Sequence, residues 1–539
     1  MLTISLISFI LAVPLFAHKI TATVFTRIVA IVLFYSAILT WNSLYYLPLS
    51  QGGVGLYSGL FHVSTTTLAF QILVCVVGAI LLAGWGPTTT SLKFGNSKVG
   101  IERSVSINTN FVHVNTMNEY SMIVLFSVLG SVLLISSYNF LSMYMGIELQ
   151  SFAAYILCSL YRNSQSATFA GLKYFLLGSL ASGIIVLGTA IIYAGTGITG
   201  FDDLATLISV GDISSANTYV TLSIAGGLLL IGIGYIFKVG AAPLYNWAPD
   251  VYDGVPTIIT SWVSTMPKIG ILVFLLNLSF IVTGYDLSWN IEFLQGNDLF
   301  TSYAKPFQTL LLVSSVLSFI VGSIVGLSQV RIKRLLTFST INHVGFLLLA
   351  LAVSTEESVE GFVFYLVQYS LTNVNTFLTI LAFGYITKGI LQNNSNVREF
   401  VLLDDLKGQF YKNPLLVISF SVSLFSMAGI PPLMGFFAKQ MVLYSVSYNY
   451  SYVAILAIVM SVISASYYLK IVQLMFFQKD SAPTTLSSEG ETSETETPLI
   501  TSMHSSVIAI LTLMISLYLF DSSILLNACH LLSLSLFSS

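Results

Sequence analysis

Charge is what this sequence has least of. Only 8% of its 539 residues are Asp, Glu, Lys or Arg, about a third of the usual share in a soluble domain. So few charges cannot coat a water-facing surface of this size. Cytosolic enzymes, nucleic-acid binders and disordered scaffolds are poor fits on that ground alone. Cysteine is nearly missing too. Cys75, Cys158 and Cys529 each sit inside an apolar run, and there is no CxxC or Cys/His cluster. That argues against an iron–sulfur or structural zinc site and leaves three buried, inert thiols. Strict polar/apolar alternation is absent, which argues against a porin-like barrel. The first apolar run, MLTISLISFILAVPLF, lacks a basic leader segment, so it reads as a retained helix rather than a signal peptide. A Walker lysine motif and HExxH are also lacking. Gly195–Gly200 fits GxGxxG, but it ends an apolar helix without a βαβ unit, which removes the nucleotide reading.

What remains is hydrophobic. The apolar residues make up 55% of the chain, and the mean hydropathy is +0.87. The runs are continuous and of helix length, the mark of an all-α polytopic membrane protein. The pattern predicts fourteen helices, at about 2–17, 23–45, 66–85, 120–137, 140–160, 167–195, 218–248, 256–283, 307–328, 335–353, 360–386, 414–446, 452–478 and 505–530. The seventh and twelfth are long and interrupted by proline.

The position of each charge tests that count, because basic residues favour the untranslocated side. The odd-numbered loops and their helix ends hold Lys19, Arg27, Lys93, Lys98, Arg103, Arg162, Arg331, Lys333, Arg334, Lys388, Arg398, Lys407, Lys412 and Lys479. The even-numbered loops hold Lys305 alone and collect Asp202, Asp203, Asp212, Asp286, Glu292, Asp298, Glu356, Glu357 and Glu360. A miscounted helix would scramble this split. The odd loops are therefore expected on the cytosolic or matrix side, and both termini on the outer side.

Helices four to eight and nine to thirteen are blocks of similar length, each with its broken helix in fourth place. PLYNW follows the first break and PLMGF the second. Five helices is an odd number, so the second block would insert upside down, giving an inverted repeat with a site at its interface. The expected organisation is 1–118 for three helices and a loop, 119–283 and 284–478 for the two repeats, and 479–539 for a flexible acidic loop and a last helix.

Five lysines lie inside helices: Lys173, Lys238, Lys268, Lys439 and Lys470. A charge at bilayer depth costs about 2.5–3.5 kcal/mol on insertion scales, so such residues mark function or a tertiary ion pair. Burial weakens a lysine's hold on its proton and a nearby carboxylate strengthens it. A Lys–Glu pair that opens and closes can thus load and unload a proton. Glu148 is the acid set deep in a mid-chain helix. Lys238 precedes the Pro243 break, Lys268 follows Pro267, and Lys439 follows Pro431 and Pro432. Broken helices expose backbone only where protein or water covers it. His343 lies among Ser339, Thr340 and Asn342 and reads either as a relay or as a satisfied polar packing residue. Lys173 and Lys470 lie near enough to helix ends to snorkel, and Asp521 reads as a cap or interfacial residue.

At these residues the chain resembles a known family. IELQS, LKYFLLGS, FKVGAAPLYNWAPDVYDG, the Pro267–Lys268 pair, RIKRLLTFSTINHVGF and GIPPLMGFFAK together look like the antiporter-like subunits of respiratory complex I, and among them subunit 2 in its fungal, fourteen-helix mitochondrial form. The resemblance spans roughly residues 120–478. It implies a proton-translocating, non-redox subunit of NADH:ubiquinone reductase. Its proton-transfer residues would be Glu148, Lys238, Lys268, Lys439, His343 and Lys173. No cofactor or metal is expected in this chain; FMN, iron–sulfur clusters and ubiquinone belong to other subunits. Other membrane and accessory subunits are the expected partners, in a bilayer with cardiolipin, with no nucleic acid. The mitochondrial inner membrane is the expected location, with both termini on the intermembrane-space side. The alternatives are a sodium/proton antiporter subunit and a purely structural membrane subunit whose buried charges clip helices together.

Overall fold

A computed structural model describes residues 1–16, 20, 22–46, 53–84, 103–162, 164–210, 218–283, 300–390, 400–478 and 502–537. The acidic segment expected around 480–504 lies outside these as far as residue 501, as do Lys19, Lys93, Lys98, Arg398, Lys479, Asp212, Asp286, Glu292 and Asp298.

Nineteen α-helices make up nearly all of the described regular structure. The first three are α1 (Leu2–Phe16), α2 (Ala22–Leu44) and α3 (Thr65–Gly84). Next come α4 (Arg103–Ile135), α5 (Phe140–Ser159), α6 (Gln165–Thr196), the short α7 (Phe201–Val210), α8 (Thr218–Val239), α9 (Trp247–Gly254) and α10 (Thr257–Thr283). They are followed by α11 (Phe300–Leu327), α12 (Ile332–Val353), α13 (Glu356–Ile390), the single turn α14 (Gln409–Lys412), α15 (Pro414–Ala428), α16 (Met434–Asn449) and α17 (Ser451–Phe477). The last two are α18 (Ser502–Ser516) and α19 (Ser523–Phe537).

Nine described helices are long and apolar enough to cross a membrane on their own. The other five expected spans differ for visible reasons. The helix α1 and the described apolar part of α4 are short. The helix α13 carries Glu356, Glu357, Glu360, Gln368, Asn373 and Asn375, which lower its hydropathy. The twelfth expected span is divided into α15 and α16. The fourteenth, expected as one helix over 505–530, is divided by a 3₁₀ turn at Tyr518–Asp521. There Ser523 Oγ donates to Asp521 Oδ1 at 3.3 Å, and such local side-chain bonds compete with the helical ladder. Asp521 is thus a turn residue, not an acid inside a continuous helix.

The two five-helix blocks are built alike. The first helix of each packs on the second, α4 on α5 and α11 on α12. The third of each packs on both halves of its own broken helix, α6 on α8 and α9, and α13 on α15 and α16. The fifth packs back on the first, α10 on α4 and α17 on α11. Small residues allow the closest approaches. A Cβ on Gly188 would lie 2.7 Å from the Gly227 carbonyl, and one on Gly227 at the same distance from the Gly188 carbonyl. These glycines seat α6 against α8, as small residues do at membrane helix seams.

Among the described residues, one element is not helical. β1 (Val54–Leu56) and β2 (Phe61–Val63) form an antiparallel hairpin with Val54 opposite Val63. It docks on the α4–α5 turn: His62 N–H donates to the Ser136 carbonyl and Ser142 Oγ to the Leu60 carbonyl. Tyr138 of that turn hydrogen-bonds Asp202 at the start of α7. The connections after the second, fourth and sixth expected spans therefore meet. At other connections Arg331 bridges to Leu402 and pairs with Asp253, so those after the seventh, ninth and eleventh spans also meet. The sorting of basic and acidic loops in sequence matches this clustering.

Candidate functional site

Two helix breaks organise the centre of the molecule, and glycine dictates both. α8 ends at Gly240 with φ +81° and α15 at Gly429 with φ +85°, a left-handed conformation that glycine adopts without penalty. The closing bonds are the same. Gly240 N–H and Ala241 N–H donate back to the Phe237 and Ile236 carbonyls; Gly429 N–H and Ile430 N–H donate back to those of Ser426 and Phe425. This is the Schellman closure. Three residues beyond each glycine stands a proline, Pro243 and Pro432, and the peptide bonds Ala242–Pro243 and Pro431–Pro432 are cis. Proline cannot donate to a continuing ladder, so neither helix resumes at once.

Lys238 sits in the last turn of α8, two residues before its glycine. Its Nζ donates to Glu148 Oε1 at 3.0 Å and to Ser151 Oγ at 3.2 Å. The side chains of the ion pair are 5% and 12% exposed. Glu148 and Ser151 are three apart on α5 and so share a face. The height of that face is set by two close backbone approaches. A Cβ on Gly130 of α4 would lie 2.5 Å from Gln150 N, and a Cβ on Gly146 of α5 would lie 2.9 Å from Leu134 N. Any larger residue would push α5 from α4 and carry Glu148 away from Lys238. Beside the pair is a cavity of about 10 Å³ lined by Gln150, Ser151, Tyr155, Tyr174, Lys238 and Pro267, about the room one water needs. Both amide atoms of Gln150 are buried there without a partner among the described residues.

Pro267 carries the row onward. It lies inside α10, where a proline removes the bond to the carbonyl four residues back. That carbonyl, of Val263, has Tyr252 Oη 3.5 Å away. The next residue, Lys268, is 2% exposed. Its Nζ donates to Thr340 Oγ1 at 2.9 Å and lies 5.6 Å from the centre of the Tyr252 ring, within cation–π range. Among the described residues its partners are a hydroxyl and a ring face rather than a carboxylate.

Thr340, His343 and Phe346 follow one another at intervals of three on α12, so they line one face. His343 is buried, with Tyr365 Oη 2.7 Å from Nδ1 and Tyr468 Oη 3.3 Å from Nε2. Phe346 offers its ring to Lys439, whose Nζ is 5.6 Å from the ring centre. Lys439 Nζ also donates to the Ala428 carbonyl at 2.9 Å. That carbonyl belongs to the last residue of α15. Both lysines at the breaks thus sit at the C-terminal end of an interrupted half-helix, where free carbonyls favour a cation by about 0.3–1 kcal/mol or more when partly buried. Lys238 does so from inside its own last turn; Lys439 reaches back from the next half.

A row of ionisable groups with hydroxyls between them, buried at two helix breaks, suits cation or proton movement. The family model described as NADH:quinone oxidoreductase/Mrp antiporter, TM matches residues 137–464, which include the whole row. The chain belongs to this NADH:quinone oxidoreductase/Mrp antiporter family. NADH-ubiquinone oxidoreductase chain 2 of Rhizopus oryzae is 46% identical over 561 aligned residues, covering 100% of both chains. NADH-quinone oxidoreductase subunit N of Hydrogenovibrio crunogenus is 38% identical over 67% of this chain and 69% of that one. A chain of respiratory complex I from Thermus thermophilus is similar in structure, with a TM-score of 0.67, 25% identity, and 97% and 98% of the two chains covered. A chain of the Mrp complex from Dietzia has a TM-score of 0.72 at 17% identity over 99% and 96% of the chains, a likeness of fold.

Within this antiporter-type fold, Glu148, Lys238, Lys268, His343 and Lys439 come together along the row. Lys173 does not join it. It pairs with Asp250 of α9, which also meets Arg334 Nη2 at 3.0 Å. Asp253 takes Arg331 and Arg334, and Lys333 Nζ donates to the Val255 carbonyl at 2.8 Å. Asp250, Asp253, Arg331, Lys333 and Arg334 line a cleft of about 420 Å³ where these basic loops meet. Lys470 is exposed on α17. Sequence reasoning missed Asp250 and Asp253 because they fall between two expected spans. Thr340 was named beside His343, whereas Ser151 was missed although it lies three residues from Glu148 on the same helix. The tyrosines Tyr252, Tyr365 and Tyr468 were missed too, since each reaches the row from a distant helix.

Proposed function

We propose that this chain is a proton-translocating, non-redox membrane subunit of a respiratory complex I in the mitochondrial inner membrane. NADH oxidation and ubiquinone reduction would take place in partner subunits, and both termini would face the intermembrane space. The observation that carries the reading is the Glu148–Lys238 pair, 3.0 Å apart and set at a helix break. An ammonium held by a carboxylate keeps its proton; one that loses its carboxylate releases it more readily. Opening of the pair would pass a proton through the small cavity at Gln150 to Lys268. The gap is suited to water, because a buried amide without a protein partner recruits one. From Lys268 the proton would pass by Thr340 and His343 to Lys439. The breaks supply backbone carbonyls that can hold a hydrated proton, as interrupted helices do in other transporters.

Lys238→Met in the intact complex tests this. Proton pumping with quinone as acceptor should fall, counted per assembled complex. If the buried charges only clip helices together, the same change lowers the amount of assembled complex and leaves pumping per complex as it was.

A further inference from the structure

His343 is held from both sides by phenolic hydroxyls. Tyr365 comes from α13 and its Oη is 2.7 Å from Nδ1. Tyr468 comes from α17 and its Oη is 3.3 Å from Nε2. All three side chains are buried, at 2% exposure or less. Neutral imidazole has one donor and one acceptor nitrogen, so the two hydroxyls face opposite tasks at any moment. One donates to the ring and the other accepts from it.

We propose that Tyr365, His343 and Tyr468 form a hydroxyl–imidazole–hydroxyl proton relay, and that both tyrosines carry the proton directly. This deepens the proton-translocating reading given above and rests on it. The step balances without any other reagent. A proton arrives at the Tyr468 oxygen as that hydroxyl's own proton passes to Nε2. The Nδ1 proton leaves for the Tyr365 oxygen, and the Tyr365 proton departs on its far side, toward Lys439. The three groups begin and end neutral, and one proton has moved across them. The imidazole has changed from its Nδ1–H to its Nε2–H tautomer. A second proton cannot follow in the same direction until the ring has returned to the first tautomer. One passage per cycle is built into the geometry.

The surroundings fit such a relay. Tyr365 is stacked on Phe346, with centroids 5.6 Å apart and planes 20° from parallel, and Phe346 is the ring beneath Lys439. Thr340, the partner of Lys268, lies one turn before His343. Tyr369 packs against the imidazole at 5.7 Å between centroids, and Tyr467 lies against Tyr468 at 4.5 Å. The aromatic walls leave the two hydroxyl oxygens as the polar contacts of the ring among the described residues.

The test is Tyr365→Phe, Tyr468→Phe and the double variant, each in the intact complex in proteoliposomes. Each change removes one oxygen and keeps the ring and its packing. The proton-to-electron ratio is measured per assembled complex, with Lys238→Met run alongside. The relay predicts that each single variant lowers the ratio by the same fraction as Lys238→Met, and that the double variant lowers it no further. Normal ratios in both tyrosine variants with a lowered ratio in Lys238→Met would overturn the relay and leave the proton-translocating reading standing. A normal ratio in Lys238→Met removes that reading itself. Losses that appear only as less assembled complex, and that add in the double variant, assign the hydroxyls to packing and also overturn the relay.

Discussion

Removing one partner of the Glu148–Lys238 pair should destabilise the subunit far more than removing both. The charges are 3.0 Å apart and their side chains are 12% and 5% exposed. At an effective dielectric of about 20, two unit charges at that separation attract by about 5–6 kcal/mol. Among the described residues, Lys238→Met leaves the Glu148 carboxylate buried with no counter-charge, and Glu148→Gln leaves the ammonium with a neutral amide oxygen and Ser151. Breaking a buried pair from one side costs about 3–5 kcal/mol, whereas replacing both charges is often close to neutral. Each single variant should therefore lower the yield of assembled complex and its midpoint in a thermal challenge followed by native electrophoresis. Glu148→Gln/Lys238→Met together should recover most of that yield. Pumping per assembled complex should stay low in all three. A double variant that recovers assembly and pumping together would assign the pair to structure rather than proton transfer, because a pair that only clips helices can be replaced by neutral side chains.

Three further outcomes follow from the geometry. Gly435→Ala would put a Cβ 1.8 Å from the Ser426 carbonyl oxygen, so α15 and α16 would have to separate, and little assembled complex should be recovered from membranes. Gly429→Ala has less to clash with but must hold φ at +85°, which costs about 1–2 kcal/mol; a modest fall in thermal midpoint is expected, with assembly retained. Lys173→Met removes a partner of Asp250 whose side chain is 30% exposed, so a stability loss of about 1 kcal/mol or less is expected. Its effect on the proton-to-electron ratio should be smaller than that of Lys238→Met, because Arg334 still holds Asp250.

Much of this arrangement was legible because the chain is so poor in charge. A carboxylate in an apolar run needs a cation, and Glu148 found the expected lysine. The two breaks were marked by proline and glycine, and PLYNW and PLMGF place Pro243 and Pro432 at equal distances from Gly240 and Gly429. What stayed hidden was decided by tertiary neighbours. Lys439 follows its break by ten residues, yet it returns to the carbonyl of Ala428 just before that break. That reach depends on how α16 folds back beside α15. The same holds for Lys173, whose partner Asp250 is 77 residues away. Tyrosine carries no hydropathy signal strong enough to mark Tyr365 or Tyr468 as polar members of a core. The division of the last expected helix at Tyr518–Asp521 was hidden in another way. Three short polar residues, Asp521, Ser522 and Ser523, were averaged away by the leucines around them.

In the proposed function, protons cross through both helix breaks, from the Glu148–Lys238 pair to Lys439. Lys439→Met tests it at the far end, where, among the described residues, no carboxylate pair is disturbed and the lost contacts are one carbonyl and one ring face. The measurement is the proton-to-electron ratio of the intact complex in sealed vesicles, per assembled complex, during NADH oxidation with quinone. Passage through both breaks predicts a ratio lowered to the level of Lys238→Met. A wild-type ratio in Lys439→Met, with Lys238→Met still impaired, would contradict a path that runs through the second break.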